Sequence, residues 1–191
     1  MTPAPELRAD AMRNREAIIR TAATLLASEG TQVSLERIAE AAGVGVGTIY
    51  RRFRSIDELV AAVLMEKTSE FADRAEKAAA DARDTPWESF EAFVLYMLEQ
   101  QASDRAFGEA LLRPASGLVD FEREITRAMR ASQTLVARAR AAGVLREGFR
   151  HSDLRMLMLA NSGLASVPQG EQAPSWRRLA MYLLDSFKAR D

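Results

Sequence analysis

Between Gly43 and Ser55 the chain carries Arg51, Arg52 and Arg54, places Tyr50 just ahead of them, and contains no acidic residue. Such a stretch is suited to holding phosphate, because arginine presents a planar fork of donors and a phenol adds one more. Immediately upstream, Gly45, Val46 and Gly47 are small enough to let a helix N-terminus approach a base edge closely and to leave amides free for a phosphate. Thr48, Tyr50, Arg51 and Arg52 can then reach backbone or bases. The net charge over all 191 residues is only −1, so any affinity for nucleic acid rests on this local cluster and not on a global field.

Other chemistries have little to work with. The absence of cysteine removes disulfides, zinc–thiolate sites and thiol nucleophiles. His151 is the only histidine, and without a nucleophile elbow it reads as a polar residue in a short turn before a helix and not as the base of a triad. The glycines of Gly43-Val-Gly-Val-Gly47 recur every second residue, lack the final two-residue gap of a dinucleotide loop, and follow a helix where a strand is required. No metal cluster, activated nucleophile or acid–base pair stands out, so neither an enzyme nor a cofactor is expected.

The elements that must position the cluster read as helices throughout. Glycine and proline divide the chain into about nine helical segments, and no run alternates with period two, which makes the fold all-α. A first helix is expected from about Arg13 to Glu29, with Ile18, Ile19, Ala22, Leu25 and Leu26 as its stripe and Gly30 ending it in the left-handed conformation. A second spans Leu35 to Ala42, capped by Ser34, and Gly43 closes it. A third runs from Val46 through Phe53. Two short helices separated by about three residues have the helix-turn-helix spacing. Ile49 and Phe53, four apart, turn inward toward Leu35, Ile38 and Ala39. Ser55 with Glu58 forms a capping box for a long fourth helix reaching about Ala82, and Thr85-Pro86-Trp87-Glu88 forms another for the fifth. Further helices are expected over Asp104 to Arg113, Leu118 to Ala142, Asp153 to Ser166 and Ser175 to Ala189.

Arg15-Glu-Ala-Ile-Ile-Arg-Thr-Ala-Ala, the run Ser34 to Ala39, AAGVGVGTIYRRF and Asp57-Glu58-Leu59, taken together in this order, resemble the N-terminal signature of the TetR family. The resemblance covers about Arg13 to Leu64. It implies a DNA-reading domain over residues 1–62 and a ligand-binding and dimerisation domain over 63–191. It further implies that Val46, Gly47 and Thr48 face bases, while Ser34, Tyr50, Arg52 and Arg54 contact the DNA backbone. Two positions depart from the family. Ile56 stands where a phosphate-binding lysine is common, so Arg52 or Arg54 is expected to supply that charge. Gly45 replaces the usual serine cap of the reading helix, at a cost of about a few tenths of a kcal/mol. The C-terminal tryptophan, arginine pair and LLDSF resemble a layout of actinobacterial members.

The second half lacks catalytic spacing. Phe71, Trp87, Phe93, Tyr96, Met97, Gln100, Phe107, Leu111, Met129 and Asn161, with Arg113, are the expected border of a pocket for a small apolar effector; each also suits an ordinary bundle core. Apolar residues on nearly every face of the last two helices point to a homodimer made through Leu154, Leu157, Met158, Trp176, Leu179, Leu183 and Phe187, with Ala160 and Gly163 allowing close approach. Two readers about 34 Å apart would match a palindromic operator in double-stranded DNA. A ligand wedged between the long helices is expected to move the fourth and weaken that match. The rival readings are an adaptor of the same fold answering to a protein or to nothing, and a small helical enzyme. With no stretch of about 18 uncharged apolar residues and no signal-like start, a cytoplasmic protein with no membrane partner is expected.

Overall fold

The computed structural model describes residues 5–113, 118–165 and 175–189, and among them nine α-helices account for nearly all the structure. In chain order they are α1 (Pro5–Glu29), α2 (Leu35–Ala42), α3 (Val46–Arg52), α4 (Ile56–Asp81), α5 (Pro86–Ser103), α6 (Arg105–Leu112), α7 (Val119–Ala141), α8 (His151–Ala165) and α9 (Trp176–Phe187). Helix α1 starts about two turns before the expected Arg13, at a proline, which the first helical position accepts because its N–H would be unpaired there anyway.

The stop and start signals act as their chemistry requires. Gly30 adopts φ +82° and its amide reaches Leu26 O at 2.9 Å, ending α1. Gly43, at φ 65°, ends α2. Ser34 Oγ accepts from Arg37 N at 3.2 Å, and Ser55 Oγ accepts from Glu58 N at the same distance. The Glu58 carboxylate closes the second box one residue early, taking the Arg54 amide at 2.7 Å. Thr85 departs from expectation: it makes no cap bond to α5, and its hydroxyl instead lies 3.3 Å from Asp81 O and 3.1 Å from Ser89 Oγ. Pro86 at the first position starts that helix without it.

Ile18, Ala22 and Leu26 of α1, Leu35, Ile38 and Ala39 of α2, Ile49 and Phe53 around α3, and Leu59 of α4 are buried in a small core that holds the first three helices against α4. Onward from there, α4 lies along α7. Arg127 of α7 is ion-paired to Asp73 and, at 3.0 Å, to Glu76 of α4, and Arg138 donates to the carbonyl of Ala79 near the α4 end. Burial opposes the Arg127 charge, but Glu124, Glu76 and Asp73 more than offset it and raise its pKa above the usual guanidinium value. Helix α5 runs through the middle, touching α4, α6, α7, α8 and α9. At its start, Phe90, Phe149 and Phe187 stack edge to face, at 5.4 and 4.9 Å between centroids. The turn after α7 is pinned to the end of α9 by Arg146 N to Phe187 O (2.9 Å) and Ala189 N to Val144 O (3.0 Å), the one β-like contact among the described residues.

His151 opens α8 instead of preceding it. Its Nε2 lies 2.8 Å from Ser132 Oγ, and burial lowers its pKa below the usual imidazole value. No carboxylate among the described residues shares that bond, so the residue ties α8 to α7.

Candidate nucleic-acid interface

The α2–α3 corner aims its smallest residues outward. Gly45, Val46 and Gly47 are exposed, with Val46 42% accessible, while Ile49 one turn later is fully buried and fixes which side of α3 faces away. A methyl group added at Gly47 would meet nothing within 4 Å, and one at Gly45 only Thr48 Oγ1 at 3.9 Å. The protein's own packing therefore does not require either glycine, although Gly47 inside a helix costs about 1 kcal/mol relative to alanine. We expect Gly47→Ala to raise stability by roughly 0.5–1 kcal/mol in denaturant unfolding while weakening duplex binding by anisotropy, the signature of space kept for a partner.

The polar groups around this tip divide into engaged and free. Arg51 donates to Thr48 Oγ1 at 3.3 Å, so these two brace each other along α3. Ser34 spends its hydroxyl acceptor on the cap of α2. Tyr50 is 49% exposed, but its hydroxyl donates to Glu36 Oε1 at 2.6 Å. Glu36 was missing from the expected site; its position opposite Tyr50 arises only when α2 and α3 are set at their angle. Arg52 and Arg54 are exposed, and their side chains make no ion pair or hydrogen bond among the described residues. Ile56, standing in the place of the familial lysine, packs half-buried against the core. For Arg52→Ala and Arg54→Ala, duplex affinity is expected to fall about evenly across sequences, and the salt slope by about 1 for each phosphate that is no longer neutralised.

A second set of contacts fixes this corner to the rest of the chain. Glu109 Oε2 of α6 accepts both the Thr31 amide (2.7 Å) and the Thr31 hydroxyl (2.6 Å), and Arg105 holds the other carboxylate oxygen at 3.0 Å. The carboxylate sits against Gly30, where an added Cβ would lie 2.6 Å from Glu109 Oε1. Partial burial pushes the Glu109 pKa up, but the Thr31 and Arg105 bonds outweigh it and leave the group below the usual carboxylate value.

The expected pocket residues fall into separate places. Phe71 lies 5.7 Å from Phe93, 5.8 Å from Tyr96 and 5.5 Å from Phe107, ring centre to ring centre, with Met97 also buried. Gln100 and Leu111 are half-buried, and Arg113 is exposed. Trp87 belongs to the other aromatic run, 6.0 Å from Phe90 with the Lys188 ammonium 5.0 Å over its ring. Met129 is 50% exposed on α7 and makes none of the ring contacts of either aromatic run. Asn161 is buried, donating to Leu98 O (3.2 Å) and Gln101 Oε1 (2.9 Å), so it serves the α5–α8 seam with Gln101, which sequence reasoning overlooked. A depression of about 630 Å³ opens elsewhere, between α4 and α7, lined by charged side chains such as Glu76, Arg123, Arg127 and Arg130.

The residues of the expected dimer face divide by burial within the single chain. Leu154, Leu157, Met158 and Phe187 are covered within the single chain, by α5 and the Phe149 stack. Trp176, Leu179 and Leu183 are half-exposed. The outward apolar side chains are instead Met156 (61%), Leu159 (50%), Met181 (67%) and Tyr182 (60%).

A short outward-tipped helix held by a glycine turn on a second short helix, above a larger helical body, defines a helix-turn-helix protein. Comparison with known proteins agrees. Residues 18–63 match the sequence model of "Bacterial regulatory proteins, tetR family". The HTH-type transcriptional regulator SAB2452 of Staphylococcus aureus (strain bovine RF122 / ET3-1) is 36% identical over 66 residues, 34% of this chain and 36% of that protein, so the likeness spans little more than a third of the relative's length. Among solved structures, the TetR transcription regulatory protein from Mycobacterium vanbaalenii is 27% identical with a TM-score of 0.52, covering 96% of this chain and 99% of that one. SmeT, the repressor of the Stenotrophomonas maltophilia multidrug efflux pump SmeDEF, is 25% identical with a TM-score of 0.61, covering 93% and 91%. Residues 18–63 thus carry the sequence pattern of the tetR-family model, and the chain shares its fold with solved TetR-type regulators.

Proposed function

We propose that the chain is a sequence-specific DNA-binding repressor that grips a palindromic operator as a homodimer and leaves it when a small apolar effector binds. The observation that carries the reading is the α3 tip: outward Gly45, Val46, Gly47 and Thr48, with glycines that internal packing does not need, flanked by the unengaged cations Arg52 and Arg54. In this reading residues 1–62 form the reader, Val46, Gly47 and Thr48 face bases, and Arg51, Arg52 and Arg54 hold phosphates. Selecting bound duplexes from a random pool tests it. Enrichment of an inverted repeat with half-sites about 10 base pairs apart is expected, and no enrichment over random competitor at moderate salt would sink it.

The same geometry changes the expected route of release. Helix α4 is clamped along α7 by Arg127 and Arg138, whereas α6 is short and carries both Phe107, in the aromatic cluster, and Glu109, on the reader. A ligand that displaced Phe107 would shift α6 and pull the α1–α2 turn, giving the two states different DNA affinity. The close packing of Phe71, Phe93, Tyr96 and Phe107 favours a second reading, an adaptor with no effector. Operator binding titrated with a panel of apolar molecules separates the two: release by any member supports the sensor, and none supports the adaptor.

A further inference from the structure

Tyr50 stands on the exposed side of α3 beside Arg51, Arg52 and Arg54, where a phosphate would be drawn in, yet its hydroxyl is already committed to Glu36 at 2.6 Å. Glu36 stands in the first turn of α2, where its own amide and the Ser34 hydroxyl join Tyr50 in favouring the ionised carboxylate. A phenol has a single O–H to donate, whereas an ionised carboxylate and a phosphodiester can only accept. Two anions thus need the same proton, and only one can have it. We propose that Glu36 is a built-in competitor of the DNA backbone for Tyr50: it braces α2 on α3 in the free protein and must surrender the hydroxyl for the phosphate contact to form, so it lowers duplex affinity. This rests on α3 being the DNA reader. The charge states fit the exchange. The Tyr50 bond, foremost, holds the Glu36 pKa below the usual carboxylate value, and Glu36 raises that of the phenol, so at neutral pH the one is an anion and the other a full donor.

A double-mutant cycle on the full-length protein tests the exchange, with fluorescence anisotropy on the duplex enriched from the random pool and on an unrelated duplex at low salt. Glu36→Ala, which removes the acceptor, and Glu36→Gln, which keeps the shape without the charge, should each tighten binding by about threefold to tenfold. In a Tyr50→Phe background the same changes should move affinity by less than about twofold, because no hydroxyl remains to compete for. Tightening of equal size in both backgrounds would show that the carboxylate acts only as a repelling charge, and unchanged or weaker binding would show that it does not compete; either result overturns the proposal. If no variant binds any duplex, the regulator reading itself fails, a distinguishable outcome. Spectrophotometric titration of the free protein checks the bond without DNA. Glu36→Ala should lower one phenol midpoint toward the ordinary value near about 10, and an unchanged titration counts against the pairing.

Discussion

Truncating Phe107 to alanine is expected to cost about 3–5 kcal/mol in unfolding free energy, the range for a fully buried aromatic. The ring has no exposed surface, meets Phe71 edge to face at 5.5 Å, and carries the Lys67 ammonium 4.9 Å above its face. Lys67 is in turn paired at 3.1 Å with Asp104, whose other carboxylate oxygen caps α6 by taking the Phe107 amide at 3.0 Å. Loss of the ring therefore removes packing and loosens the start of the helix that bears Glu109. Denaturant unfolding should show a lower midpoint with little change in slope. Duplex affinity, measured where the variant is still folded, should fall as well, because the reader's corner hangs from the same helix. A loss of stability below about 1 kcal/mol would mean that the site relaxes around the cavity and that the ring is not a keystone of this junction.

The second large effect concerns assembly. Leu159→Asp combined with Met181→Asp places two carboxylates on the exposed apolar side of α8 and α9, a change that the chain's own core should tolerate because both positions are at least half exposed. If that side is the homodimer face, sedimentation should shift from dimer to monomer. Operator affinity should then drop by about 10²- to 10⁴-fold, since the second half-site no longer gains from effective concentration. Leu157→Ala is the contrasting variant: Leu157 is 2% exposed within one chain, so it should lower stability and leave the oligomeric state alone. A double aspartate variant that stays dimeric would place the two-fold axis elsewhere.

What could be read from sequence depended on the range of the interactions. Gly30, Gly43, Ser34 and Ser55 act within a few residues of themselves, and their caps and left-handed turns formed where expected. The tip of α3 was legible for the same reason, because the spacing of Ile49 and Phe53 alone decides which residues turn outward. The Glu36–Tyr50 pair needs the interhelix angle, and the Thr31–Glu109 bond joins residues 78 apart, so neither leaves a local trace. The covered and outward faces of α8 were not legible, because Leu154, Met156, Leu157, Met158 and Leu159 are apolar on almost every side. With no contrast around the helix, only the position of α5 decides that Leu157 is covered and Met156 is not.

Glu109 also bears on how freely the reader can be exchanged between relatives. The bend after α1 is completed by an acid supplied from far downstream, and its glycine leaves room for that acid and for no side chain of its own. A hybrid that grafts α1 to α3 onto the body of a protein of the same fold would carry the bend without its fastener. Transplants should keep α6 with the graft, or restore an acid at the matching position, if the borrowed helices are to hold their pose.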